Sequence, residues 1–404
     1  MKISLIYPNL GRHDGRGFRD RASMDPLALG VLAGLTPPDV EVALHDDRLE
    51  SIPYDEPTDL VAITTQVFMA RRAYEISQEY RARGVKVILG GVHPTLLPEE
   101  AAGYADSILV GDAEAAWPQV VEDLRTRTLK TRYYGPPGVA QAGGVLPRWN
   151  LYEKKGYLPI NLIQYGRGCR FACDFCAVSA YFSRRHHYRP IPEVLSEVRA
   201  RKKRLFFFVD DNIVSDHTAA KALFRALIPL KIHWVSQASL DMLDDPELME
   251  LMMESGCLGH VVGFESVEAG SLQGMNKRQN LRAGLGRYEE AVVQLREYGL
   301  QTWAAFTLGH DHDTPESLRD TLTFARESRF AFAAFNVLMP YPATPLYRRL
   351  EAEHRLLFDG QWWLHPDYRF NHAAFRPARM SPEQLTEIGL ESRKSFNSVG
   401  SILR

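Results

Sequence analysis

Three of the four cysteines in this 404-residue chain fall within eight residues, in Gly166-Arg167-Gly168-Cys169-Arg170-Phe171-Ala172-Cys173-Asp174-Phe175-Cys176. Thiols this close must share one loop, and whatever they bind dictates its shape. In a reducing compartment such clustering reads as metal ligation or redox chemistry, not as a disulfide framework. The run directly follows residues 162–165, a short apolar stretch that reads as a strand. It therefore lies at a strand's carboxyl end, where βα barrels carry their chemistry. Gly166 and Gly168 permit the sharp exit and close backbone approach that a wrapping loop needs. Three thiolates can ligate three irons of a cubane and leave the fourth open, whereas an electron-carrying cluster normally has four cysteine ligands. Structural zinc wants four ligands, usually in paired units, and Cys257 lies far along the chain. Cys169, Cys173 and Cys176 are read as the ligands of a [4Fe–4S] cluster with one open iron.

The rest of the chain reads as α/β. Short β-branched runs at 3–7, 40–44, 60–64, 85–89 and 107–110 alternate with helical segments at 26–35 and 70–83. Runs of this kind, bounded by Gly, Pro and Asp, are buried parallel strands, and with crossover helices they imply a Rossmann-like doubly wound domain over 1–130. Residues 131–158, with Gly135-Pro136-Pro137-Gly138, Gly143-Gly144 and Pro147, read as a linker. Six further strands, at 162–165, 205–209, 233–237, 261–263, 302–307 and 334–338, predict a partial (β/α)6 barrel over 159–340. A short helical extension, 341–404, closes the chain, its last helix announced by Ser381-Pro382-Glu383.

Composition narrows the function. Forty-eight basic against fifty acidic residues give a formal net charge of -2, which argues against nucleic acid as a partner. No apolar run is long enough for a membrane span and the first residues do not form a signal peptide, so a cytoplasmic location is expected. At the second barrel strand, Asp210 and Asp211 have the chemistry to accept hydrogen bonds from an ammonium group, or to cap the next helix. Glu265 follows an apolar run, where an unpaired carboxylate is costly to bury. Trp362-Trp363, Tyr368, Phe370, Trp303 and Phe306 could wall an apolar or aromatic substrate, although such residues are commonly core. Cys257 reads as a buried small hydrophobe, and His186 and His187 as surface or substrate-loop residues.

The CxxxCxxC spacing, with Phe175 before the last cysteine, resembles the radical S-adenosylmethionine (SAM) superfamily. The resemblance implies that the amine and carboxylate of SAM chelate the open iron. An electron from an external one-electron reductant such as flavodoxin or ferredoxin, passed through the cluster, then cleaves SAM to a 5′-deoxyadenosyl radical that attacks the substrate. It further implies that Phe175, Asp210, Asp211, Gln237, Ser239, Glu265 and Leu308 line the SAM pocket. Met339-Pro340-Tyr341-Pro342-Ala343-Thr344-Pro345 matches the close of this subgroup's barrel, with Ala343 where Gly is usual.

The first region resembles the cobalamin-binding-like domain of the superfamily's class B branch, through Met24–Gly30, Thr64-Thr65-Gln66-Val67, Gly90-Gly91-Val92-His93-Pro94-Thr95 and Gly111-Asp112-Ala113-Glu114. That likeness implies cobalamin contacts at Thr64, Thr65, Gly90, Gly91, His93, Gly111 and Glu114. No Asp-x-His-x-x-Gly occurs, so no histidine is set up as a lower cobalt ligand. The expected activity is cobalamin-dependent methylation of a carbon on a small-molecule natural product or lipid-like substrate. The alternatives are a cyclase, epimerase or rearrangement enzyme with a vestigial cobalamin domain, and a non-catalytic iron–sulfur protein.

Overall fold

The computed structural model describes residues 1–10, 12–13, 16–17, 23–136, 145–283 and 287–402. The chain forms two compact units, Met1–Leu162 with Trp363–Phe370, and Ile163–Trp362 with Asn371–Arg404.

The first unit is built on six strands: β1 (Lys2–Tyr7), β2 (Glu41–Asp46), β3 (Leu60–Thr64), β4 (Lys86–Gly90), β5 (Ser107–Gly111) and β6 (Arg132–Gly135). Every pairing is parallel and the spatial order is β2-β1-β3-β4-β5-β6. Leu60–Ile63 are all buried, as expected of a strand covered on both faces. The order reverses between β1 and β3, and a crevice outside those carboxyl ends is where open α/β sheets bind ligands. Strand β6 forms within the stretch read as a linker. Its four residues, Arg-Tyr-Tyr-Gly, are too few to carry a period, and only pairing with β5 makes them a strand. Pro137, Gly138, Gly143 and Gly144 lie outside the described residues.

The second unit is the barrel. Its strands are β7 (Asn161–Ile163), β8 (Leu205–Phe208), β9 (His233–Ala238), β10 (Cys257–Glu265), β11 (Gln301–Leu308) and β12 (Phe332–Val337), in the order β12-β11-β10-β9-β8-β7. Sequential order without closure is the partial barrel expected. Helices between the strands bury Phe206, Phe208, Trp234, Phe264, Phe306 and Phe335 in one core. The helix Pro382–Phe396 starts at the Ser381 signal, with a capping box to Gln384. Among the described residues no helix is long and apolar enough to cross a membrane.

Candidate functional site

The cysteine loop leaves β7 and is pinned by its neighbours' strand ends. Asp210, two residues past β8, is fully buried and accepts the backbone N–H of Tyr165 at 3.0 Å and that of Gly166. Asp211 accepts the N–H of Gly168 at 2.8 Å. Both carboxylates therefore shape the approach to Cys169. Burial pushes the Asp210 carboxyl up to about 7. A Cβ on Gly166 would sit 2.6 Å from His186 Nε2, and one on Gly168, whose φ is +87°, 2.1 Å from the Arg185 carbonyl. The two glycines are thus required where the loop passes beneath the His186–Tyr188 strand, which pairs with Gly166–Gly168. From the opposite side, Asp174 N–H donates to the Met275 carbonyl at 3.0 Å and the Asn276 amide to the Ala172 carbonyl at 2.7 Å.

Cys173 is buried and Cys169 and Cys176 are half-buried. Burial pushes the Cys173 thiol up to about 12, against the pull of the Lys277 ammonium, and raises Cys176 as well. A buried thiol that holds its proton against the protein alone surrenders it to a metal cation. Asn212 extends its amide nitrogen to within 3.9 Å of Cys169 Sγ and 2.9 Å of Ser239 Oγ, while its buried Oδ1 has no hydrogen-bond partner. Among the described residues no three His, Cys, Asp or Glu side chains converge closely enough to hold a single ion. A cubane distributes three thiolates over three irons, so the donor set fits a cluster.

Around the loop, the residues expected to line a pocket divide. Phe175 packs against the barrel core. Gln237 donates to the Asp210 carbonyl at 3.1 Å. Ser239 donates to Asp241. Glu265, at φ +64°, takes Lys277 Nζ on one oxygen at 2.7 Å and the Thr307 hydroxyl on the other at 2.6 Å. Burial opposes the charge on Lys277, but the Glu265 carboxylate outweighs it and holds its pKa above the ordinary value. The Leu308 side chain is buried in the core on the helix side of β11, because strand alternation turns it away from the barrel's concave face. Asn212, Lys277 and Thr307 were missed. Asn212 stands directly beside the Asp pair and Thr307 directly before Leu308, but nothing in sequence marks Lys277.

In the first unit, Thr65 follows β3 and is fully buried. Its N–H donates to the Gly90 carbonyl at 2.8 Å, its carbonyl accepts from His93 N–H at 3.0 Å, and its Oγ1 has no partner. Thr64 ends β3 and Gly90 ends β4. Gly91, at φ +101°, admits this contact: a Cβ there would lie 3.0 Å from the backbone N and O of Thr65. Gly111, at φ +86°, is demanded by β6, since its Cβ would meet the Gly135 carbonyl at 1.9 Å. Glu114 is buried nearby in sequence, past the end of β5. His93 is also fully buried, its Nε2 2.8 Å from Tyr74 Oη and 2.9 Å from Glu100 Oε1, its Nδ1 without partner. Trp363, from the returning tail, donates to both Glu100 oxygens at 3.1 Å. The carboxyl end of the sheet thus holds an orphaned hydroxyl beside small residues, which suits a polar cofactor tail.

Residues 163–325 match the model of the Radical SAM superfamily. Over 397 residues the chain is 30% identical to bacteriochlorophyllide d C-12(1)-methyltransferase of Chlorobaculum tepidum, spanning 94% of this chain and 84% of that one. It is 24% identical over 447 residues to anaerobic magnesium-protoporphyrin IX monomethyl ester cyclase of Rubrivivax gelatinosus, spanning 98% and 77%. Its fold is similar to the radical SAM methyltransferase TsrM from Kitasatospora setae, a structure with cobalamin and [4Fe-4S] cluster bound. The TM-score is 0.73 at 16% identity, covering 99% of this chain and 89% of that one.

Proposed function

The chain belongs to the radical SAM superfamily, and from that premise we propose that it is a cobalamin-dependent C-methyltransferase acting on a small-molecule substrate. The observation that carries the reading is the three-thiol loop at the carboxyl end of the barrel's first strand. The fourth cysteine, Cys257, is spent elsewhere, buried 3.3 Å from His260 Nε2. The higher identity to the methyltransferase, 30% against 24% for the cyclase, supports methyl transfer over other radical chemistry.

When bound, the cluster and SAM supply a substrate-activating radical, and cobalamin supplies the methyl group. Cys169, Cys173 and Cys176 would hold the cluster, with Asp210 and Asp211 fixing the loop and Asn212 beside Cys169. Phe175, Gln237, Ser239 and Glu265 would bound the SAM site. Thr64, Thr65, Gly90 and Gly91 would receive the cobalamin tail at the carboxyl end of the parallel sheet, with Thr65 Oγ1 as its donor. His93 serves this indirectly, holding the loop through Tyr74 and Glu100. An external one-electron reductant such as flavodoxin or ferredoxin would feed the cluster, in the reducing cytoplasm.

Anaerobic reconstitution tests the reading. The expected protein retains hydroxocobalamin in its visible spectrum, forms 5′-deoxyadenosine with dithionite, and passes a deuterated methyl group from SAM to a substrate carbon. SAM cleavage without any retained cobalamin would overturn methyl transfer. A fully active Cys173→Ala variant would overturn the cluster assignment.

A further inference from the structure

Along β11 the side chains alternate. Ala304, Phe306 and Leu308 are buried, Phe306 meeting Phe324 of the helix Pro315–Glu327 at a centroid distance of 6.2 Å. Trp303, Ala305 and Thr307 therefore face the concave side of the sheet. The register pairs them with three residues of the edge strand β12: Trp303 with Phe332, Ala305 with Ala334, Thr307 with Asn336. Three tiers result, rising toward the strands' carboxyl ends: aromatic, small, polar.

The aromatic tier is the anomaly. Trp303 and Phe332 are each 46% exposed, with ring centroids 4.8 Å apart and planes tilted by 34°. Their neighbours on the outer face of the same strands are almost entirely buried. Two large rings left half in water on a concave face forgo a sizeable burial free energy, and such patches mark binding sites. The alanine tier above them lets a flat ligand approach the backbone. At the polar tier, Thr307 holds the Glu265 oxygen opposite Lys277, whose chain neighbour Asn276 donates to the Ala172 carbonyl of the thiol loop at 2.7 Å. The face is thus continuous with the thiol loop's surroundings.

We propose that this tiered face binds the planar conjugated ring of the substrate, a macrocycle of the tetrapyrrole class to which the bacteriochlorophyllide named for the 30%-identical relative belongs. The ring stacks on Trp303 and Phe332, its body passes over Ala305 and Ala334, and its reactive edge lies at the polar tier. The proposal rests on the small-molecule reading above and names the substrate's class. A puckered saturated polycycle would forfeit the stacking that a flat π-system gains.

The test uses the cluster-loaded protein with two probes, chlorin e6 as the planar macrocycle and diploptene as the saturated polycycle. Chlorin e6 is expected to quench tryptophan fluorescence on binding and diploptene not to bind. Trp303→Ala and Phe332→Ala should each weaken chlorin e6 about tenfold, and Trp303→Phe less than about threefold. Ala305→Leu, which fills the middle tier, should weaken it comparably to Trp303→Ala. Retained visible absorbance of the cluster checks that each variant folds. Unchanged chlorin e6 affinity in Trp303→Ala and Ala305→Leu would overturn the proposal, as would wild-type protein that binds diploptene and not chlorin e6. Chlorin e6 bound through these residues by a protein that transfers no methyl group would uphold it and overturn the methyltransferase reading alone.

Discussion

At the scale of single residues, several side chains that resemble cofactor contacts turn out to serve backbone. Asp210 spends its carboxylate on the N–H groups of Tyr165 and Gly166, a role its sequence neighbours do not reveal. Its burial has a measurable consequence. A carboxyl raised from 3.8 to about 7 binds its proton more tightly folded than unfolded, so stability falls as pH rises through that window. For the cluster-free protein, the slope of unfolding free energy between pH 5 and 7 should be shallower in Asp210→Asn, by up to roughly 1.4 kcal/mol per pH unit. Urea titrations at several pH values would measure it; identical slopes would refute it. Lys277 makes a second case. Lys277→Met leaves Glu265 buried with only the Thr307 hydroxyl, which should cost about 3 kcal/mol. Adding Glu265→Gln should restore most of that loss, as read by denaturant midpoints.

Secondary-structure elements were the most legible part. Apolar runs bounded by Gly, Pro and Asp located eleven of the twelve strands of the two main sheets, because at least one face of each is buried and turn residues mark its ends. Strand β6 escaped because its identity comes from its partner. The returning segment Trp363–Phe370 escaped for the same reason. Its ties to the first unit are Trp363 on Glu100, the His365 carbonyl accepting from Arg71 at 2.8 Å, and Phe370 against Phe68. Each joins residues more than 260 positions apart, which no local pattern encodes. Trp363→Phe removes the donor to a largely buried carboxylate and should cost about 1.5–3 kcal/mol, seen as faster hydrogen exchange in Val92–Leu96 and Pro98–Ala102. Gly91→Ala forces a side chain into a left-handed position 3.0 Å from Thr65, and should destabilise the same loops by about 1–3 kcal/mol.

For the whole molecule, the two units have separate cores, and only the second carries the thiol loop. Removing iron with a chelator should therefore lower the unfolding transition of the barrel by on the order of several kcal/mol, and leave the first unit's transition in place. Calorimetry with and without cluster would show it; equal shifts in both transitions would refute it. What the sequence determined by itself was the chemistry: three thiols with a fixed spacing can serve few metals, and glycines at Gly166 and Gly168 can be read as a wrapping loop because local geometry requires them. Tertiary structure alone decided which neighbours face that loop. Asn212 comes within 3.9 Å of Cys169 Sγ, Lys277 and Thr307 meet on Glu265, and Leu308 turns away, through strand register and side-chain alternation. Trp303 and Phe306, three residues apart on one strand, likewise part company, one into water and one into the core. Spacing along the chain is a covalent fact, whereas facing is settled only when strands pair and helices cover one side of the sheet.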